Sequence, residues 1–67
     1  MIALTVNGEP RRFEAPLKVE ALLGELELAG KRVALERNGE ILPRSRFGEQ
    51  WPADGDRIEI VVAVGGG

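Results

Sequence analysis

The sequence contains no cysteine, no histidine and no tyrosine among its 67 residues. Without cysteine there is no disulfide, no thiolate metal site and no nucleophilic thiol. Without histidine the most common general base and metal ligand are missing as well. The chain is therefore not expected to be an enzyme in its own right, nor to bind a metal. Basic residues are too few and too dispersed for a nucleic-acid surface: nine Lys and Arg stand against eleven Asp and Glu, and no basic run exceeds a pair such as Arg11-Arg12. No apolar run approaches the ~20 residues of a membrane span. No signal-peptide pattern precedes the first strand, so the expected location is the cytoplasm. The length suits one domain, near the lower limit for a fold without staples.

What the sequence does have is an unusual end. Ile58, Ile60, Val62 and Val64 alternate with Arg57, Glu59, Val61 and Ala63. Period two in β-branched residues predicts a strand with its even-numbered face on a core. The side chains then stop, and the chain closes on Gly65-Gly66-Gly67. Glycine packs nothing and is entropically costly to fix, so three in a row do not stabilise a fold. They make a thin tail of about 10 Å at full extension, one that fits a channel too narrow for a Cβ. Its carboxylate is ionised at neutral pH and is a candidate nucleophile toward an activated phosphate. Taken alone, such a tail fits an inert chain end as well as a carrier of that carboxylate.

The remaining elements are legible in order. Ile2, Leu4 and Val6 alternate as a first strand, and Asn7-Gly8 signals a hairpin. A second strand is predicted from about Glu9 to Glu14, with Phe13 inward and Pro10 marking an edge. Lys18 to about Leu26 is the one predicted helix, with Val19, Leu22, Leu23 and Leu26 in one apolar stripe. Leu28 is expected on the core, and Gly30 is expected to turn the chain out of the helix. Val33 to Arg37 is a third strand with Val33 and Leu35 inward. Asn38-Gly39 turns into a short strand at Ile41-Leu42, closed by Pro43. Arg44 to Trp51 is irregular with one 3₁₀ turn, and Phe47 and Trp51 are expected to cover one end of the core. Asp54-Gly55-Asp56 is a tight turn; its two carboxylates alone make a poor cation site. Arg44 fits a turn role and a partner contact equally. Together these elements predict an α+β domain over residues 1–64, with a mixed sheet of four to five strands packed on one helix, and a glycine tail over 65–67. In it the first and last strands are central, parallel neighbours.

That order, with a terminal Gly-Gly, resembles the ubiquitin-like β-grasp pattern. The Asn38-Gly39-Glu40-Ile41-Leu42-Pro43-Arg44-Ser45 block, Trp51, Asp54-Gly55-Asp56 and Val64-Gly65-Gly66-Gly67 together resemble the ThiS family of sulfur carriers in thiamine biosynthesis. The pattern departs at Glu36-Arg37, where smaller or apolar residues are expected. The resemblance implies that the Gly67 carboxylate, presented through Gly66, Gly65 and Val64, is adenylated by a ThiF-type enzyme. ATP and magnesium come from that enzyme, and no cofactor is bound by the carrier. The glycyl-adenylate then becomes a 1-thioglycine thiocarboxylate with sulfur from a donor such as a cysteine desulfurase. The sulfur passes to a ThiG-type thiazole synthase. A molybdopterin-synthase small subunit, a tRNA-thiolation carrier and a ubiquitin-like modifier joined to lysine use the same Gly-Gly end and are the alternatives. Val61 and Ala63, with Ala3, Thr5 and Ala34, are the expected partner-docking patch on the open sheet face.

Overall fold

Two Asn-Gly turns set the architecture. Asn7 and Gly8 take φ of 50° and 83°, and Asn38 and Gly39 take 51° and 85°. Positive φ at both central residues gives the type I′ turn, whose twist matches that of paired strands. The first turn joins β1 (Ile2–Val6) to β2 (Glu9–Phe13), in register from Ile2 opposite Phe13 to Val6 opposite Glu9. The second joins β3 (Val33–Arg37) to β4 (Glu40–Leu42). Between the hairpins lies α1 (Val19–Glu25), and after them come a 3₁₀ turn (Arg44–Arg46) and β5 (Arg57–Val62). The computed structural model describes residues 1–63. Its sheet runs β2-β1-β5-β3-β4, with β5 parallel to β1 and antiparallel to β3. This is the five-stranded mixed sheet on one helix that the sequence predicts. Pro10 lies on an edge strand, where its missing N–H costs no ladder bond.

The core forms where the inward face of the sheet meets the helix stripe. Ile2, Leu4, Val6, Leu35, Ile58 and Ile60 meet Val19, Leu22, Leu23 and Phe47. Val19 and Leu22 are completely buried. No side chain caps the helix N-terminus. Instead the Val19 and Glu20 N–H groups donate to the Gln50 and Phe47 carbonyls, at 2.9 and 3.1 Å. The 47–50 segment thus satisfies orphan amides that a Ser or Asp would otherwise serve.

Three local expectations are corrected. The helix is closed by Glu27, not by Gly30: Glu27 sits at φ 61°. Its N–H donates to Gly24 O at 3.1 Å, and the Leu28 N–H donates to Leu23 O at 2.7 Å. That pair is a Schellman motif with a non-glycine residue in the left-handed position. It draws Leu28 back onto the core, and Gly30 (φ 80°) serves the next turn, where the Lys31 N–H donates to Leu28 O. Trp51 does not cover the core. It is 53% exposed, with Lys18 Nζ 5.6 Å from its ring centroid; Phe47 and Pro52 are buried in that region instead. Val62, expected inward, is 38% exposed. β1 ends level with Ile58, so Val62 has a strand neighbour on the β3 side alone.

The entrance to β5 is tied down by Asp56. Its Oδ2 accepts from Arg37 Nε (2.7 Å) and the Ala53 N–H (2.8 Å), and its Oδ1 accepts from Asn38 Nδ2 (3.0 Å). Arg37 also donates to Gln50 Oε1 at 3.0 Å. Arg37 therefore joins β3 to the loop before β5. Burial alone would raise the Asp56 carboxyl. The bonds from Asn38, Ala53 and Arg37 outweigh it and hold the pKa below the ordinary 3.8. A carboxyl depressed in the fold contributes stability that is complete above its unfolded value. That contribution is lost as pH falls through the lower, folded value. In urea unfolding between pH 7 and pH 2, Asp56→Asn is expected to be less stable than wild type at neutral pH. The gap should close below about pH 4; a gap independent of pH would mean that the carboxylate charge contributes nothing.

Candidate functional site

β5 positions the candidate site because it is the central strand and is separated from the glycines in sequence by Ala63 and Val64 alone. Ile58 and Ile60 bury one face of it, at 1% and 7% exposure. By the alternation of a strand, Arg57, Glu59 and Val61 then face outward. The register extends that outer face across the sheet: Val61 lies opposite Ala34, and Glu59 lies opposite Glu36. Val61 is 66% exposed. A β-branched side chain that open gains nothing from the fold, so its apolar surface is free for contact.

The structure brings together part of the patch expected from sequence. Val61 and Ala34 are cross-strand partners, and both are exposed. Ala63, just beyond the strand, is exposed as well, and its N–H donates to Arg32 O at 2.9 Å. Ala3 and Thr5 lie on β1, toward the other end of the face. Thr5 is level with Arg57, four residues from Val61, or roughly 13 Å along the strand. Ala3 sits beside the Asp54-Gly55 turn: its N–H donates to Asp54 Oδ1 (2.7 Å) and its carbonyl accepts from the Gly55 N–H (2.7 Å). The five residues therefore form an apolar group at the C-terminal end of β5 and a separate pair near its start.

One exposed apolar residue of this face was not read from the sequence as part of the patch. Ile41 is 77% exposed on β4, opposite Glu36. The signal was available: with Leu42 inward, alternation obliges Ile41 to point outward. Glu36 and Glu59 between these residues are a directly opposed like-charge pair, which disfavours the sheet slightly. They give the apolar group an acidic border. Among the described residues no three His, Cys, Asp or Glu side chains are grouped to hold a metal ion. Asp54 and Asp56 are instead engaged by main-chain and side-chain donors of the fold.

The reactive terminus expected at Gly67 and Gly66, with Gly65 and Val64, lies outside the described residues. Those four follow Ala63 directly in sequence.

Comparison with known proteins places this arrangement. The ThiS family model matches residues 4–67. The sulfur carrier protein ThiS of Bacillus subtilis is 38% identical over 65 residues, covering 96% of this chain and 98% of that protein. A thiazole synthase of Paramagnetospirillum magneticum is 52% identical over 64 residues, 96% of this chain, but this chain spans only 20% of that protein's length. The crystal structure of the thiamine biosynthesis protein ThiS from Geobacter metallireducens superposes with a TM-score of 0.83 at 39% identity. That match covers 98% of this chain and all of the other.

Proposed function

This chain belongs to the ThiS family, and from that premise we propose that it is the sulfur carrier of thiamine biosynthesis, with Gly67 as the residue that carries sulfur. The observation that carries the proposal is the family match, which runs through the final glycine. In the first step a Gly67 carboxylate oxygen attacks the α-phosphorus of ATP on an adenylating enzyme. Pyrophosphate leaves, and a glycyl-adenylate forms. The mixed anhydride is a good electrophile, so the terminal sulfur of a partner's persulfide can attack the acyl carbon and expel AMP. A thiol that cleaves the acyl disulfide's S–S bond then frees the thiocarboxylate and leaves as a disulfide. The resulting thiocarboxylate is the form that gives sulfur to a thiazole synthase. Metal, base and sulfur nucleophile are supplied by partners; this chain supplies a carboxylate on a stem without side chains, and a face to dock.

Intact mass spectrometry of the protein from its own cells tests the proposal. The expected result is a population heavier by the exchange of one oxygen for sulfur, mapped to the C-terminal peptide. A lysine conjugate in its place would make the chain a modifier and overturn the assignment.

The Val61 group is proposed as the surface on which the adenylating enzyme and the thiazole synthase dock. Val61→Arg is expected to weaken both associations by at least tenfold, because it places a charge in a contact that must lose water. Melting should stay within about 0.5 kcal/mol of wild type, the usual range for surface changes. The new guanidinium would lie near Glu59 and diagonal to Glu36, within reach of long side chains. Calorimetric titration of the variant against each partner, with a melting curve, decides the matter. Undiminished binding would remove Val61 from the interface, and unfolding would mean that the strand faces are reversed.

A further inference from the structure

Both Asn-Gly turns reach beyond their own hairpins and grip β5, one at its start and one at its middle. At the start, the Arg57 N–H donates to Asn38 Oδ1 (2.8 Å), Asn38 Nδ2 donates to Asp56 Oδ1 (3.0 Å), and the Asn38 N–H donates to Arg57 O (2.8 Å). Toward the chain end, the Asn7 N–H donates to Ile58 O (2.9 Å). There the Ile60 N–H donates to Asn7 Oδ1 (2.7 Å), and Asn7 Nδ2 donates to Ile60 O (3.1 Å). β1 has turned away after Val6. The Asn7 carboxamide, with one donor and one acceptor, stands where the next peptide group of a longer β1 would be. A hydroxyl or a carboxylate does not present both functions in one plane. Among the described residues, this amide is the last hydrogen-bonding partner of β5 on its β1 side.

We infer that Asn7 is a positioning residue for the reaction at the C-terminus: its carboxamide holds Ile60 to the sheet and thereby sets the path along which the following residues leave it. The inference rests on the proposed function for its catalytic consequence. Its structural half stands on the hydrogen bonds alone. Without the Asn7 bonds, the stretch held by β3 alone would lengthen from Val61–Ala63 to Ile60–Ala63 and would fray. Each freed residue must be ordered again when the carboxylate is delivered, at a penalty on the order of tenfold in the productive population. The outward aim of Val61 would be lost with it.

The two asparagines make a matched test. Asn7→Gly and Asn38→Gly each preserve the left-handed turn, which glycine adopts freely, and each removes two side-chain hydrogen bonds to the β5 region. Both should lower the melting temperature to a similar degree. Only Asn7→Gly should speed amide hydrogen exchange at Ile60 and Ala63 beyond the acceleration seen at the core amides of β1. Only Asn7→Gly should lower kcat/KM for ATP–pyrophosphate exchange with the adenylating enzyme, by about tenfold or more through KM, since one to three residues are freed. Asn38→Gly should stay within about twofold of wild type, as an unfrayed tail requires. If Asn7→Gly does not fold, Asn7→Asp serves in its place. It keeps the acceptor for the Ile60 N–H but sets an anionic oxygen against Ile60 O, and the same pattern is expected. Equal loss of kcat/KM in the Asn7 and Asn38 variants, or unchanged exchange at Ile60 and Ala63, overturns the inference. A wild-type protein that supports no pyrophosphate exchange overturns the proposed function instead, and the hydrogen-exchange comparison then still decides whether Asn7 holds the strand.

Discussion

Removing Gly66 and Gly67 is expected to abolish adenylation while leaving the melting temperature where it was. Among the described residues the last buried one is Ile60, and the two glycines have no side chains to add to the core. Truncation withdraws the carboxylate by two residues, roughly 7 Å of chain, and brings Val64 toward the narrow part of the partner's channel. Gly66→Val separates these effects, since it keeps the carboxylate and the chain length but adds a branched Cβ. Reacting atoms must be held within about 3–3.5 Å, and a displacement of about 1 Å costs on the order of a hundredfold in rate. A hundredfold loss of ATP–pyrophosphate exchange is therefore expected for Gly66→Val, with an unchanged melting curve. Exchange by the truncated protein would remove the terminal carboxylate from the mechanism. Wild-type exchange by Gly66→Val would mean that the channel admits a side chain.

Leu22→Ala is expected to have the largest effect on stability. Leu22 is completely buried on α1 and belongs to the same cluster as Leu4, Leu35, Ile58 and Phe47. Truncating a buried leucine costs about 2–5 kcal/mol, through lost transfer energy plus the residual cavity. Small domains have about 5–15 kcal/mol in total, and a chain of this size stands near the low end. At about 4–8 °C per kcal/mol for such a domain, the melting temperature should fall by at least about 10 °C. Urea titration with the m-value held in common would measure the loss. An unchanged midpoint would mean that the helix stripe is not the centre of the core.

Much of the fold was legible because its signals are local. The strand at Ile2, Leu4 and Val6 follows from period two. The helix follows from Val19, Leu22 and Leu23 at i, i+3 and i+4. Both hairpins follow from Asn-Gly pairs whose φ preferences span only two residues. The misses have the opposite character. Glu27 closes the helix although glycine is the usual residue there, because the Leu28 contact with the core outweighs a local preference. Trp51 is expected from sequence to cover one end of the core, yet Phe47 and Pro52 are the residues buried in that region. Arg37 looked out of place in β3 until Asp56, nineteen residues on, was set beside it. Ile41 was assigned to a strand, but its place on the docking face needed the register with Glu36.

The sequence by itself determined the local conformations, and its lack of histidine and cysteine excludes imidazole and thiol chemistry from these residues. Alternating residues and Asn-Gly pairs settle strands and turns because those energies depend on neighbours a few positions away. Only the tertiary structure decided which strand lies beside which. The order β2-β1-β5-β3-β4 sets Val61 against Ala34 and brings Asn7 to Ile60, fifty-three residues apart in the chain. Contacts over that separation depend on how the whole sheet assembles around the helix, and no short-range preference encodes them.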